Sequence, residues 1–320
     1  MNNIFPIFQF LKDKTAAGLG CALVTLTAVT GASTRNPGAH MAVATDGSAA
    51  GSFSGGCIET AVIAEAMDCI KAAAPRVVRF GAGSPYLDIR LPCGGGIDLL
   101  FTPLADACIA ENLYQAVTER QAFTISMNRE TGAISSTPAV QDQAVISAGS
   151  WVYANHVPPA KIVILGHGAV VENLAHLTAS YGLSCEILTP DPDIVARVTQ
   201  RGATANLLKT PAATPLYQAD PWTACVFYFH DHDWEAELMK QAVASPAFYI
   251  GAMGSFKTHD TRKALLRNLG VREENIKRMK APIGIIPSTR DPATLALSTL
   301  TEIIESYHSQ FSRTHGAIAL

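Results

Sequence analysis

The chain has 320 residues, 48% hydrophobic and 16% charged, with a formal net charge of -3. That length exceeds one typical core and predicts two domains, while the slightly acidic balance, with no cluster of Lys and Arg, excludes a broad nucleic-acid-binding face. Seven cysteines, irregularly spaced and without a CxxC, read as reduced thiols and not as a disulfide framework.

The start, MNNIFPIFQFLKDK, lacks the basic n-region and small-residue cleavage site of a signal peptide. The stretch AAGLGCALVTLTAVTGA is too short and too rich in Gly and Thr to span a bilayer. A cytoplasmic protein with no membrane segment is therefore expected. Residues 3–14 predict a short helix, and CALVTLTAV and HMAVAT predict strands on either side of a turn-rich loop, TGASTRNPGA. In GSFSGGCIET, Gly55 and Gly56 precede Cys57, and the helical pattern IETAVIAEAMDCIKAAA begins with Glu59 near its start. PRVVRF, LDIRL and IDLLFTPL predict further strands, and LPCGGGIDLL sets Cys93 directly before Gly94, Gly95 and Gly96. LADACIAENLYQAVTER predicts a helix, and AFTISMNRETGAISS a hairpin turning near Thr131-Gly132. VYANHVPPAK interrupts the pattern, so the boundary is placed near Pro158-Pro159, giving an N-terminal domain over 1–157 with a linker at its end and a second over 158–320.

From Lys161 the pattern alternates: KIVILG, a helix near 169–181, SCEILT, ACVFYF, WEAELMKQAVAS, AFYIGA, HDTRKALLRNLG, IGIIP and PATLALSTLTEIIES. Apolar β-branched runs followed by amphipathic helices predict a doubly wound parallel sheet. The fold class is thus α/β, an N-terminal α+β domain followed by a Rossmann-like parallel-sheet domain. Asp291 before Pro292 suits a helix N-cap, and Gly270 the end of the preceding helix.

Two glycine-flanked cysteines are the leading candidates for chemistry. Glycine runs bring backbone N–H groups close to a ligand, and a helix start beside Gly55-Gly56-Cys57 lowers a thiol pKa and welcomes an anion. Cys93 with Gly94 and Gly95 repeats the theme. Cys21, Cys69, Cys108, Cys185 and Cys225 lie in apolar patterns, where cysteine acts as a small hydrophobe. Glu59, two positions after the first thiol, is placed to orient a ligand or else to sit as a favourable charge on the helix dipole. Gly166 and Gly168, flanking His167, are the first two glycines of a dinucleotide fingerprint, with Val171 where the third would stand and Asp191 as the candidate ribose holder. His230 and His232 in FHDHD read as a metal pair, a phosphate-binding pair or polar residues closing a loop. Gly251 and Gly254 in YIGAMGS are further positions for close backbone approach to a ligand.

Taken together the segments GASTRNPGAHMAV, GSFSGGCIE, LPCGGGIDLLF, VILGHGAVV, FHDHDWE, YIGAMGSFKTH and the PIGI-to-DPATLALSTLTEII end resemble the xanthine dehydrogenase accessory factor family, XdhC/CoxI, over nearly the whole chain. The resemblance implies a non-catalytic chaperone that binds molybdenum cofactor transiently, as molybdopterin in its mono- or dinucleotide form. Such a chaperone protects the cofactor while a cysteine desulfurase supplies its sulfido ligand, and delivers it to a molybdenum hydroxylase of the xanthine dehydrogenase or aldehyde oxidoreductase type. A cofactor nucleotidyltransferase as further partner and a homodimer are expected on the same ground. In that reading Cys57 contacts the molybdenum or its exchangeable sulfur, since a soft thiolate suits either. The competing reading, an NAD(P)-dependent oxidoreductase using the second domain, needs the complete glycine fingerprint and has no use for the glycine-flanked cysteines.

Overall fold

The structure, a computed structural model, describes residues 4–56, 58–84, 94–138, 143–210, 217–230 and 234–311. The chain falls into two units, divided between Pro158 and Pro159. The first contains, in order, α1 (Phe5–Ala16), β1 (Cys21–Thr30), β2 (His40–Ala44), β3 (Ala49–Gly51), α2 (Glu59–Ala72), β4 (Arg76–Gly81), β5 (Gly96–Pro103), α3 (Ala107–Thr118), β6 (Phe123–Asn128), β7 (Ile134–Thr137), β8 (Val145–Ala148) and β9 (Trp151–His156). Two antiparallel sheets result, one ordered β3-β2-β1-β5-β4 and the other β7-β6-β9-β8.

The first six residues of β1 are all buried because the sheet is covered on both faces. Cys21 and Leu23 join a core with Phe8 and Leu11 of α1, Leu113 of α3 and Ile125 and Met127 of β6. Ala22, Val24 and Leu26 face the other way, onto Val62, Ala66 and Cys69 of α2. The apolar run thus serves two cores, which is why it does not alternate with polar residues. Burial pushes the thiols of Cys21 and Cys69 up to about 11, so both remain protonated fillers of these cores. Cys108 differs from the sequence expectation: it lies exposed on α3.

A polar chain crosses the first of these cores. His40 Nε2 and His156 Nε2 lie 2.8 Å apart, His40 Nδ1 is 2.9 Å from Thr25 Oγ1, and Thr25 Oγ1 donates to Met127 Sδ at 3.3 Å. All donors are used if His156 donates to His40, His40 to Thr25 and Thr25 to the thioether, with both rings neutral. Burial, followed by the neighbouring His156, holds His40 well below the usual histidine range. An unfolded His40 takes up a proton below about pH 6.5 and the folded one resists, so stability is full above that pH and falls as pH drops through the window down to the folded value, by at most about 1.4 kcal/mol per pH unit. Urea unfolding at pH 7.5 and 5.5 checks this: the midpoint is expected to drop on acidification, and by less in His40→Met.

The second unit contains β10 (Lys161–Gly166), α4 (Ala169–Tyr181), β11 (Ser184–Thr189), α5 (Pro192–Gln200), β12 (Thr204–Leu207), β13 (Thr223–Tyr228), α6 (Ala236–Ala244), β14 (Tyr249–Ala252), α7 (Phe256–Asn268), α8 (Glu273–Ile276), β15 (Met279–Lys280) and α9 (Pro292–Phe311). Its six parallel strands run β12-β11-β10-β13-β14-β15, the Rossmann order with the strand sequence reversing between β10 and β13. The strand expected at IGIIP is corrected: β15 is the two-residue Met279–Lys280, and residues 284–286 bend into a turn at Pro287-Ser288. The reason is competition for backbone donors, because Gly284 N donates to Glu302 Oε2 at 2.7 Å and Ile286 N to Ser298 Oγ at 2.8 Å, both on α9. Among the described residues no helix is long and apolar enough to cross a membrane.

Candidate functional site

Each unit gathers its candidate residues at one end of its sheet. In the first unit, the antiparallel order brings the loop after β1, the loop after β3 and the segment leading into β5 to the same end. The loop of residues 31–39 joins the others. Thr34 Oγ1 donates to Phe53 O at 2.7 Å and Arg35 Nε to Ser52 O at 3.2 Å, fastening it to the Gly55-Gly56 loop. On its other side Gly95 packs so closely that a Cβ there would lie 2.1 Å from Ala32 O, which only glycine permits. The glycine runs expected to flank Cys57 and Cys93 therefore meet through one loop. Cys57 and Cys93 themselves lie outside the described residues.

Glu59 organises the first glycine loop. Its Oε1 accepts from Ser52 Oγ (2.7 Å), Phe53 N (3.0 Å) and Ser54 N (2.8 Å), and its Oε2 from Ser54 Oγ (2.7 Å), Gly56 N (2.8 Å) and Ile58 N (3.2 Å). Burial works against the carboxylate, but the bonds from Ser52 and Ser54 outweigh it and hold the pKa well below the usual carboxylate range. Gly55 N donates to Ser52 Oγ at 2.9 Å. The two glycine N–H groups that the sequence offers to a phosphate are thus bonded within the loop, while among the described residues nothing stands within 4 Å of the Cβ positions of Gly55, Gly56 and Gly94. The loop presents open backbone, and an anion beside it needs another donor.

Behind β5, Arg79 Nη1 donates to both carboxylate oxygens of Asp98 at 3.0 Å, Nη2 to Thr30 Oγ1 at 3.0 Å and Nε to Ala82 O at 2.8 Å. This guanidinium ties the ends of β1, β4 and β5 together. Sequence reasoning missed Ser52, Ser54, Arg35 and Arg79. The first three stand in loops it singled out, but nothing in their spacing marks one hydroxyl or guanidinium over its neighbours.

In the second unit the strand order reverses between β10 and β13, where open α/β sheets bind ligands. There the rings of His167 and His230 lie 5.6 Å apart, and His167 is 5.9 Å from Phe229. Gly166, with φ +152°, lets β10 pass Tyr228, since a Cβ would lie 2.7 Å from that backbone. Gly168 precedes α4, whose first turn has no side-chain cap; Val171 N donates to Gly168 O at 3.1 Å. His232 lies outside the described residues; among those described, no three His, Cys, Asp or Glu side chains gather as a metal site. Asp191, the candidate ribose holder, accepts from Asp193 N and Ile194 N and caps α5.

The close approach at Gly251 is to protein, not to open space: a Cβ would lie 2.6 Å from Ile283 Cδ1 and from Tyr249. At Gly254 it would meet Thr258 of α7 at 2.9 Å. Beyond Gly254 a cleft of about 410 Å³ opens between Ser255, Phe256, Ile286 and Arg290. Below it Arg262 donates through Nε and Nη2 to the two oxygens of Glu235 at 2.9 and 2.8 Å, and through Nη2 to Met253 O at 3.0 Å. Both side chains are only 2% exposed. The pair fastens the segment after β13 to the turn after β14.

The second unit is thus a Rossmann sheet with histidines at its switch point, and the first an antiparallel α+β domain whose glycine loops converge. Residues 15–81 match the XdhC and CoxI family and residues 162–303 the XdhC Rossmann domain. The chain is 31% identical over 297 residues to the molybdenum cofactor insertion chaperone PaoD of Escherichia coli strain K12, covering 93% of this chain and 86% of that protein. It is 22% identical over 288 residues to the uncharacterized protein YqeB of the same organism, covering 85% of this chain and 41% of YqeB. A crystal structure described as a xanthine dehydrogenase from Bacillus halodurans shares the fold, with a TM-score of 0.71, 18% identity and 98% coverage of each chain. The chain belongs to the XdhC and CoxI family.

Proposed function

We propose that this chain is a molybdenum cofactor insertion chaperone, a role supported by its similarity to PaoD over 93% of its length. The observation that carries the reading in the structure is the meeting of the Gly55-Gly56 and Gly94-Gly95 runs on the 31–39 loop, which brings open backbone from both cysteine-bearing segments to one sheet end. Cys57, and secondarily Cys93, is the soft ligand for molybdenum or its exchangeable sulfur. Gly55, Gly56, Gly94 and Gly95 shape the cavity, and Glu59 fixes its first loop. In the second unit, taken by itself, the α4 start at Gly166, His167 and Gly168, with His230, His232 and Gly254, is a place for a polar or anionic group, and Gly251 supports the strand behind it. When bound, the cofactor supplies the sulfurated molybdenum that a hydroxylase needs, and this chain supplies only binding and shielding.

In the finer reading the protein acts in the cytoplasm as a homodimer, holds the cofactor while a cysteine desulfurase installs the sulfido ligand, and delivers it to a hydroxylase of the xanthine dehydrogenase or aldehyde oxidoreductase type. A nucleotidyltransferase hands over the dinucleotide form if that is the form carried. The oxidoreductase alternative is disfavoured by Val171 at the third fingerprint position and by the capping role of Asp191.

The test is to purify the chain after co-expression with cofactor biosynthesis and measure molybdenum and extracted pterin. Cys57→Ala is expected to lose most of both with an unchanged circular dichroism spectrum, and Cys93→Ala to lose less. A client hydroxylase made without this chain is expected to fold but lack cyanide-releasable sulfur and activity. Unchanged pterin in Cys57→Ala, or steady NAD(P)H oxidation with a small substrate, would overturn the proposal.

A further inference from the structure

We infer that Arg35 is the anion-binding residue of the first unit's site, receiving a phosphate of the bound ligand on its two Nη groups. The inference rests on the cofactor reading above and adds to it the group that meets the cofactor's phosphate. Three observations lead to it. Glu59 and Ser52 already take the N–H groups of Gly55 and Gly56, and Glu59 also takes those of Phe53, Ser54 and Ile58, so the backbone of this loop has little left to offer an anion. The Glu59 carboxylate, held ionised by its six bonds, repels a phosphate brought to this loop, so an anion there calls for a cation close by. The two described arginines near this end then differ sharply: Arg79 is paired with Asp98 through Nη1 and engaged at Nε and Nη2 as well, whereas Arg35 is exposed and has no carboxylate within ion-pair distance among the described residues.

Arg35 is nevertheless held in place. Its Nε donates to Ser52 O at 3.2 Å, which ties the guanidinium to the loop that Glu59 organises, and its backbone N donates to Ser33 Oγ at 3.2 Å. With Nε engaged, the remaining donors are the Nη pair, whose spacing matches two oxygens of a phosphate. A lysine would supply charge without that fork. The phosphate is either the terminal monoester of molybdopterin or one of the diphosphate in a dinucleotide form, and each offers at least two non-bridging oxygens to the Nη pair.

The test compares Arg35→Ala and Arg35→Lys with the unaltered protein after co-expression with cofactor biosynthesis. Retained pterin is expected to fall roughly tenfold in Arg35→Ala and to recover in part in Arg35→Lys, with unfolding midpoints unchanged. Dialysis against inorganic phosphate should strip pterin from the unaltered protein at lower concentration than chloride of equal ionic strength, and this preference should vanish in Arg35→Ala. The mass of the extracted pterin distinguishes the two phosphate sources. Retention in Arg35→Ala equal to that of the unaltered protein, or no preference of phosphate over chloride, would overturn the role of Arg35 and leave the cofactor reading standing. Absence of pterin from the unaltered protein would instead overturn the cofactor reading, and this inference with it.

Discussion

Arg262→Ala is expected to destabilise the protein by about 3–5 kcal/mol, because it takes the bidentate guanidinium away from a Glu235 carboxylate that is only 2% exposed. Both side chains are 2% exposed and joined by two bonds of 2.8 and 2.9 Å, so neither charge has a substitute partner in solvent. Arg262 Nη2 also carries the Met253 carbonyl, which the alanine leaves without that donor. Glu235→Ala should cost a similar amount, while Glu235→Leu with Arg262→Met should recover most of the loss, since two buried charges and their desolvation are removed together. Urea unfolding followed by tryptophan fluorescence is the measurement, with Trp234 adjoining Glu235 as reporter. If the single variants unfold within about 0.5 kcal/mol of the unaltered protein, the pair has no structural weight.

This ion pair also shows where sequence reasoning stopped. Trp234-Glu235 stood beside the histidines in a segment marked for its chemistry, but Arg262 lies 27 positions on, inside a helix whose pattern distinguishes no single charge. Elements with strong local signals were legible: the apolar β10 and β13, the Asp291 cap whose Oδ2 accepts from Thr294 N, and the Thr131-Gly132 turn between β6 and β7. Short edge pieces were not. β3, β8 and β12 have three or four residues and mixed burial, so their place is set by the neighbour that pairs with them and not by their own sequence. At IGIIP the β-branched signal was real, yet Ser298 and Glu302 of a distant helix took the backbone donors a strand would have used.

The same distinction separates the two readings of Glu59, and its replacement is the second large effect expected. The sequence allowed a ligand-orienting carboxylate or a charge on the helix dipole; the six bonds make it the centre of the Ser52–Ile58 loop. Glu59→Ala removes the carboxylate that accepts from four backbone N–H groups and two hydroxyls, of which Ile58 N keeps Ser54 Oγ at 3.2 Å, and the part of that set that water cannot reach makes the loss about 2 kcal/mol or more. Glu59→Gln tests the charge separately: the amide keeps one acceptor oxygen but turns an NH₂ toward donors that face Oε1 or Oε2, so it should rescue little. The sign with pH follows from the lowered pKa. The stabilisation is complete above the ordinary glutamate value of about 4.3 and is lost as pH falls through the window below it, so the difference between the unaltered protein and Glu59→Ala should shrink in acid. The loop also carries Gly55 and Gly56 and anchors Arg35 through Ser52 O, so pterin retention should fall along with stability in both variants. A Glu59→Gln protein that keeps full stability at pH 7 and full retention would show that the loop holds its shape without the carboxylate.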